Sequence, residues 1–317
     1  HRTLNIGRVM SPTLALIVQR EAEIDGFKPV PFYTVTLELP GFTVAGECMK
    51  DKAAAEQLQS ACQSAVATVK QVERKDKSEK PPALYDLTTL QRDANPELGY
   101  TAQQTLDYLQ ALYEKKLCTY PRTDSRYLTA DMEGTVPALA AAAAKICGVA
   151  VPYTVLAAQV CNSAKVTDHH AIVPTEGAGR ADVEALPAGE REILRLVARE
   201  LLCATGSPYR YQETAVTLDC GGNQFSAKGK AITAPGWKAY QREKADPAKE
   251  SVLPDGLTEG MTLPVTAVTI KEGKTTAPKH YTEDTLLSAM ETAGAKDMPE
   301  DAERKGIGTP ATRAGIL

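Results

Sequence analysis

The spacing of apolar positions switches repeatedly between a helical and a strand period along this chain. Residues 12 to about 23 place Leu14, Ala15, Val18 and Ala22 on one helical stripe. Residues 32–39 then alternate with a period of two, Pro40-Gly41 supplies a turn, and residues 42–46 alternate again. Residues 51 to about 65 read as an alanine-rich helix, and 66–75 as a strand. The mixed-charge run 70–80, closed by Pro81-Pro82, reads as a solvated crossing into another domain.

From residue 83 to about 205 the text is mostly helical. Thr101 followed by Gln104 has the form of a capping box, and Leu106, Leu109 and Tyr113 share one face of a helix that runs to about Lys116. The apolar run 138–144 is short and reads as a packed helix. Strand periodicity returns at 213–220, with Gly221-Gly222 as a hairpin turn and 224–228 as the return strand. A final strand spans 262–271. Thr282 then caps a helix, with Glu283 and Asp284 well placed in its first turn.

The order is therefore helical, β, helical, β, helical, and the second half mirrors the first. This nesting predicts an α+β multidomain chain in three parts. Helical segments 1–26 and 278–317 form one part, and β-rich segments 27–82 and 206–277 a second. The third, residues 83–205, is a helical domain inserted into the β-rich connector. The crossings at 80–83 and 206–208 are the expected hinges.

Composition narrows the function classes. With 36 basic against 40 acidic residues the net charge is −4, so a DNA-binding role requires a local basic groove rather than an overall basic surface. Seven cysteines without a Cys-x-x-Cys fit reduced thiols in a cytoplasmic protein better than a zinc site. No apolar run reaches the roughly 18 residues of a membrane span. His169 and His170 are adjacent, so their side chains diverge, and no other His/Cys cluster supplies further ligands; no metal site is expected.

Candidate chemistry concentrates at Cys118-Thr119-Tyr120-Pro121-Arg122-Thr123-Asp124-Ser125. A phenol with a pKa of about 10 attacks phosphorus only if its developing charge is stabilised. A guanidinium two residues away matches phosphate oxygens with its planar fork. Pro121 biases Tyr120 toward extended backbone, just past a helix end. On spacing alone, a half-buried structural tyrosine among the chain's twelve remains an equal reading. Ser11-Pro12 and Thr309-Pro310 each place an N-cap residue before a proline suited to the first helical position, next to glycines and to Arg8 or Arg313. Helix starts of this kind attract anions, and ordinary capped starts look the same.

Four segments, in order, resemble motifs of the type IA DNA topoisomerases, closest to the topoisomerase III branch. The Tyr120 run resembles the active-site segment. Asn5-Ile6-Gly7-Arg8-Val9-Met10-Ser11-Pro12-Thr13-Leu14 resembles the Gly-Arg-Val-Gln-Thr-Pro-Thr-Leu motif, with Met10 in place of glutamine. Asp168-His169-His170-Ala171-Ile172 resembles Asp-His-x-Ala-Ile, and Gly306-Ile307-Gly308-Thr309-Pro310-Ala311-Thr312-Arg313 resembles Gly-Ile-Gly-Thr-Pro-Ala-Thr-Arg.

The resemblance implies a toroidal core in which a β-rich arch joins a helical base to a helical tip. Tyr120 would cleave single-stranded DNA and hold the 5′-phosphate covalently, without ATP, so that a strand passes before religation. Arg122 would position the scissile phosphate, and His169 would contact it or relay a proton. Asn5, Ile6, Gly7, Arg8, Val9, Met10, Ser11, Thr309 and Arg313 would contact DNA. The family's Mg²⁺ is held by a Toprim domain through a glutamate and an Asp-x-Asp pair, and this sequence contains no Asp-x-Asp. The expectation is a monomeric fragment lacking Toprim, holding no metal itself and binding single-stranded DNA without completing a cleavage cycle. The alternative is a non-catalytic single-stranded DNA-binding module that retains the fold.

Overall fold

Helix α1 (Met10–Asp25) opens the part of the chain that the computed structural model describes, which comprises residues 7–151, 154–241, 253–294 and 306–316. It starts earlier than the Ser11-Pro12 signal predicted. Val9 occupies the cap position without a side-chain bond, and the Ser11 hydroxyl accepts from the Gly7 N–H at 3.3 Å from inside the first turn. The expected packing stripe is also corrected. Leu14 and Val18 are 60% and 58% exposed, and Thr13 is the residue buried.

Strands β1 (Pro31–Leu39) and β2 (Phe42–Met49) form the predicted hairpin. Alternate residues Tyr33, Val35, Leu37 and Leu39 face inward, as the period of two requires. Helix α2 (Lys52–Cys62) is capped by Asp51, whose carboxylate accepts from the Ala53 N–H. Strand β3 then runs from Val66 to Glu79. The charged run 70–80 is therefore a strand and not a linker. Its charges sit on a solvated strand, and its backbone pairs without a break from Gln71–Glu79 to Thr217–Tyr209 of β4 (Tyr209–Cys220).

Between those paired ends lie α3 (Leu87–Leu98), α4 (Ala102–Glu114), α5 (Val136–Cys147) and α6 (Ala188–Ala204). The predicted capping box of α4 is present, with Thr101 and Gln104 bonding each other's backbone. The four helices share a core through Leu90, Leu109, Ala143, Ile193, Leu194 and Leu201. Tyr113 is not part of that face. Leu112 takes the buried position, and Tyr113 is 40% exposed.

Beyond β4 and the Gly221-Gly222 turn comes β5 (Asn223–Ala234). The predicted strand 262–271 is two strands, β6 (Thr262–Pro264) and β7 (Ala267–Lys274). They lie at opposite edges of one sheet ordered β6-β3-β4-β5-β2-β1-β7. Only Val265 and Thr266 join them. The Val265 N–H donates to Ala65 O at 3.2 Å and the Thr266 N–H to Glu38 O at 2.9 Å, so the sheet must curl until its edges nearly meet. Val35, Leu37, Val69, Val216, Leu218 and Phe225 fill its interior, covered by Leu58 of α2.

Helices α7 (Glu283–Thr292) and α8 (Pro310–Ala314) pack back onto the inserted helices. Leu287 and Ala314 join the core of α3–α6. Arg92 of α3 pairs with Asp284 at 3.0 Å, and the Glu283 carboxylate accepts the Ala102 N–H at the start of α4 at 2.6 Å. The expected hinge at 206–208 is braced. The Trp237 N–H donates to Ser207 O at 2.8 Å, and its indole N–H to Glu79 O at 3.2 Å. A side chain at Gly206 would collide with Trp237.

Candidate active site

After α4 the backbone turns sharply at Lys116, whose φ of 60° is rare for a residue with a side chain. The Leu117 N–H returns to Leu112 O at 2.9 Å, closing the helix end. Cys118 is buried, and burial alone drives its thiol far above the ordinary range, so it packs rather than reacts. The segment then extends past Tyr120. Pro121, Thr123 and Ser125 point inward, while Arg122 and Asp124 are exposed. Tyr120 is half-buried, its ring 4.2 Å from the His169 ring and 5.5 Å from the Tyr113 ring.

Main-chain and hydroxyl bonds lace this segment to the one carrying His169. The Thr119 N–H donates to Val173 O at 3.0 Å, and its hydroxyl donates to Ala171 O at 3.1 Å while accepting from the Val173 N–H at 3.0 Å. The Thr123 hydroxyl donates to His169 O at 2.8 Å and accepts from the Ser125 N–H. The Leu87 N–H reaches Thr123 O at 3.1 Å, anchoring the segment to the start of α3. Thr167 donates to the Asp124 carboxylate at 2.9 Å. His170 turns its Nδ1 to the Ala171 carbonyl, leaving His169 as the exposed imidazole.

Arg122, Asp124, Asp168 and His169 line one side of a cleft of about 210 Å³, and Thr309, Pro310 and Ala311 line the other. The loop 306–309 gets there by two left-handed turns. Gly306 has φ 62°, and a Cβ there would lie 2.4 Å from the Met290 and Glu291 carbonyls. Gly308 has φ 71° and rests against the Val9 side chain. Thr309 caps α8 through the Thr312 N–H, as its sequence predicted. The contact at Val9 puts the exposed Arg8 and Met10 next to this loop. Asn5 and Ile6 lie outside the described residues.

Arg313 goes the other way. Only 3% exposed, it donates to Ile307 O at 2.7 Å and Thr88 Oγ1 at 3.4 Å and pairs with Glu291 at 3.6 Å. Its guanidinium is spent on the protein, which corrects the expectation of a phosphate contact. The helix start at 310 faces the cleft, while the arginine of the same turn faces the core. Burial, with the charge of Asp86 second, pushes the Glu291 carboxyl above its usual range, against the opposing pull of Arg313 and Arg92.

Thr119, Thr123 and Tyr113 are the functional candidates that the sequence reading did not single out. The alternation through 121–125 held the signal for Thr123, because a hydroxyl at an inward position needs a buried partner. Thr119 bonds to a segment more than 50 residues away, and Tyr113 meets Tyr120 only because the chain turns back at Lys116, so no local pattern shows either.

A profile of the DNA topoisomerase family matches residues 1–317. The DNA topoisomerase 3 of Bacillus licheniformis is 38% identical over 99% of this chain and 46% of its own length. That of Bacillus subtilis is 39% identical over the same shares. A solved structure of full-length topoisomerase I from Thermotoga maritima superimposes with a TM-score of 0.75 at 26% identity, over 99% of this chain and 51% of that one. The chain thus spans about half the length of the relatives it matches.

Proposed function

Since the chain belongs to the type IA DNA topoisomerases and resembles their topoisomerase III branch, we propose that Tyr120 is the nucleophile that cleaves single-stranded DNA. The observation that carries this reading is the meeting of Arg122 and His169 with the Thr309 loop at one cleft, with the Tyr120 ring stacked 4.2 Å from that of His169. Tyr120 Oη attacks phosphorus and forms the 5′-phosphotyrosine, while the P–O bond to the upstream 3′-oxygen breaks. The phenol proton departs and the 3′-oxygen gains one, so the step balances and religation is its reverse. Arg122, exposed at the cleft, supports the charge spread over the non-bridging oxygens. His169, 4.2 Å from the phenol ring, contacts the phosphate or carries the proton. Arg8 and the main chain around Thr309 hold the flanking strand, and the enzyme acts as a monomer in the bacterial cytoplasm.

The family's Mg²⁺ does not fit the described residues. Asp124 and Asp168 share the cleft, yet no three His, Cys, Asp or Glu side chains among the described residues converge on one point. The ion's ligands belong, in this proposal, to a Toprim domain outside this chain, and no step here is routed through it. The chain alone binds single-stranded DNA.

The test is denaturant-trapped covalent capture of an end-labelled single-stranded oligonucleotide. The complete enzyme forms an adduct that Tyr120→Phe abolishes, and the chain alone binds the oligonucleotide without forming it. An adduct that survives Tyr120→Phe overturns the assignment. Binding with no adduct in the complete enzyme favours the non-catalytic module.

A further inference from the structure

The Tyr120 hydroxyl has no hydrogen-bond partner among the described residues, and Pro121 prevents its backbone from continuing a helix. Its side chain is placed by ring contacts. The His169 imidazole lies 4.2 Å away, tilted by 37°. The Tyr113 ring stands edge-on at 5.5 Å and 83°, the favoured geometry for an aromatic pair. Tyr113 is otherwise unexplained. It sits on the last turn of α4, outside the helix's core face, 40% exposed and with no hydrogen bond to its hydroxyl among the described residues.

We infer that Tyr113 is a positioning residue for the nucleophile: its ring closes off the alternative side-chain rotamers of Tyr120 and holds the phenol beside His169, which lines the cleft. This rests on the proposed role of Tyr120. A tyrosine χ1 has three staggered wells, and moving between them swings the hydroxyl by several ångströms. The turn at Lys116 fixes where Tyr120 starts, and Tyr113 on the preceding helix fixes which well it occupies. The α4 helix is itself rigidly seated, with its first N–H groups held by Thr101 and by Glu283 of α7. Tyr113 and Tyr120 both belong to the inserted helical part, so the clamp moves with it and keeps the nucleophile aimed.

The experiment measures single-turnover adduct formation by the complete enzyme on a saturating single-stranded oligonucleotide, alongside the binding constant. Tyr113→Ala lowers the adduct rate about tenfold with binding unchanged, and Tyr113→Phe, which keeps the ring, restores it. A Tyr113→Ala rate equal to the unaltered enzyme's, while Tyr120→Phe abolishes the adduct, overturns the positioning role alone. Weaker binding with an unchanged saturated rate also overturns it, making Tyr113 a DNA contact. An adduct that persists in Tyr120→Phe removes the nucleophile and this role with it. A second measurement uses the chain alone. The His169 ring protons carry an upfield ring-current shift from Tyr120, which Tyr113→Ala reduces and Tyr113→Phe preserves; no change in Tyr113→Ala contradicts the clamp.

Discussion

The Thr123 hydroxyl donates to the main-chain carbonyl of His169 at 2.8 Å, across 46 residues of sequence. It also accepts the Ser125 N–H at 3.1 Å, and the residue is 3% exposed. One buried hydroxyl thus sets the spacing between the segment that holds Tyr120 and Arg122 and the loop that holds His169.

Replacing Thr123 with valine keeps the shape and removes both bonds, leaving a buried carbonyl and N–H unpaired. The expected cost is about 1–3 kcal/mol, measured by urea unfolding of the chain. Thr123→Ser restores most of it. A valine variant as stable as the parent shows that water replaces the hydroxyl and that Thr123 does not set the spacing.

Arg8 precedes one of two similar helix starts and Arg313 lies within the other, and the structure separates their environments. Arg8 is exposed, so Arg8→Ala weakens single-stranded DNA binding and reduces the slope of log K against log salt by roughly 0.7, with no change in thermal stability. Arg313 is buried against Glu291, Thr88 and Ile307, so Arg313→Ala lowers the melting temperature and leaves the salt slope alone. Glu291 stays partly solvated, so the loss is smaller than for a fully buried pair. The opposite pairing of outcomes reverses the two assignments.

Their contrast shows what a sequence of this kind reveals. Local chemistry was legible. The Thr101–Gln104 box, the Thr282 and Thr309 caps and the β1–β2 hairpin all form where their signals stand. The direction of a side chain relative to a distant element was not. Arg313 follows a correctly read cap, yet its side chain turns inward because Thr88, 225 residues away in sequence, lies beneath it. Residues 70–80 read as a linker because both faces of that strand carry charge, and only pairing with β4 keeps them extended. The split of 262–271 into two strands has the same origin, since closing the curled sheet needs Val265 and Thr266 to bond to opposite edges. Tyr120, Arg122 and His169 stand in motifs that a local window contains, and the structure sets His169 beside Tyr120 and in one cleft with Arg122. The threonine lacing between their segments was not legible, because each bond joins positions no local window contains.

Glu200 on α6 gives the fold a pH dependence. Burial first, and the Asp93 charge second, lift its carboxyl to about 8, against the opposing charges of Arg126 and Arg199. An unfolded glutamate titrates near 4.3. Between those values the folded chain holds a proton that the unfolded chain has lost, so stability falls as pH rises from about 4.3 toward 8 and levels off above. Glu200→Gln cannot ionise and removes that penalty. The variant is expected to be more stable than the parent at pH 8.5, by on the order of 1 kcal/mol or more. It differs little at pH 4. Parallel stability profiles for the two proteins from pH 4 to 9 contradict the burial of this carboxyl.

The curled sheet has one weak line. Strands β2 and β5 meet in a single register pair, Ala45 opposite Ser226, while β3–β4 and β4–β5 pair along almost their whole lengths. A cavity of about 630 Å³ opens beside that pair, lined in part by Phe42, Val44 and Lys228. The line also separates strands that connect to different helices. Strands β3 and β4 carry the inserted helices with Tyr120, whereas β1 and β7 connect to α1 and α7. The strand passage proposed for the complete enzyme requires the inserted helices to lift from α7, and because residues 206–208 are braced by Trp237 the bend is expected where pairing is thinnest. Amides of β2 and β5 flanking Ala45 and Ser226 are therefore expected to exchange with deuterium well before those of β3 and β4. A disulfide between Ala45→Cys and Ser226→Cys closes the line. In the complete enzyme it suppresses strand passage and leaves single-strand cleavage intact, and reduction restores passage. Equal exchange across all four strands, or passage unaffected by the oxidised cross-link, places the bend elsewhere.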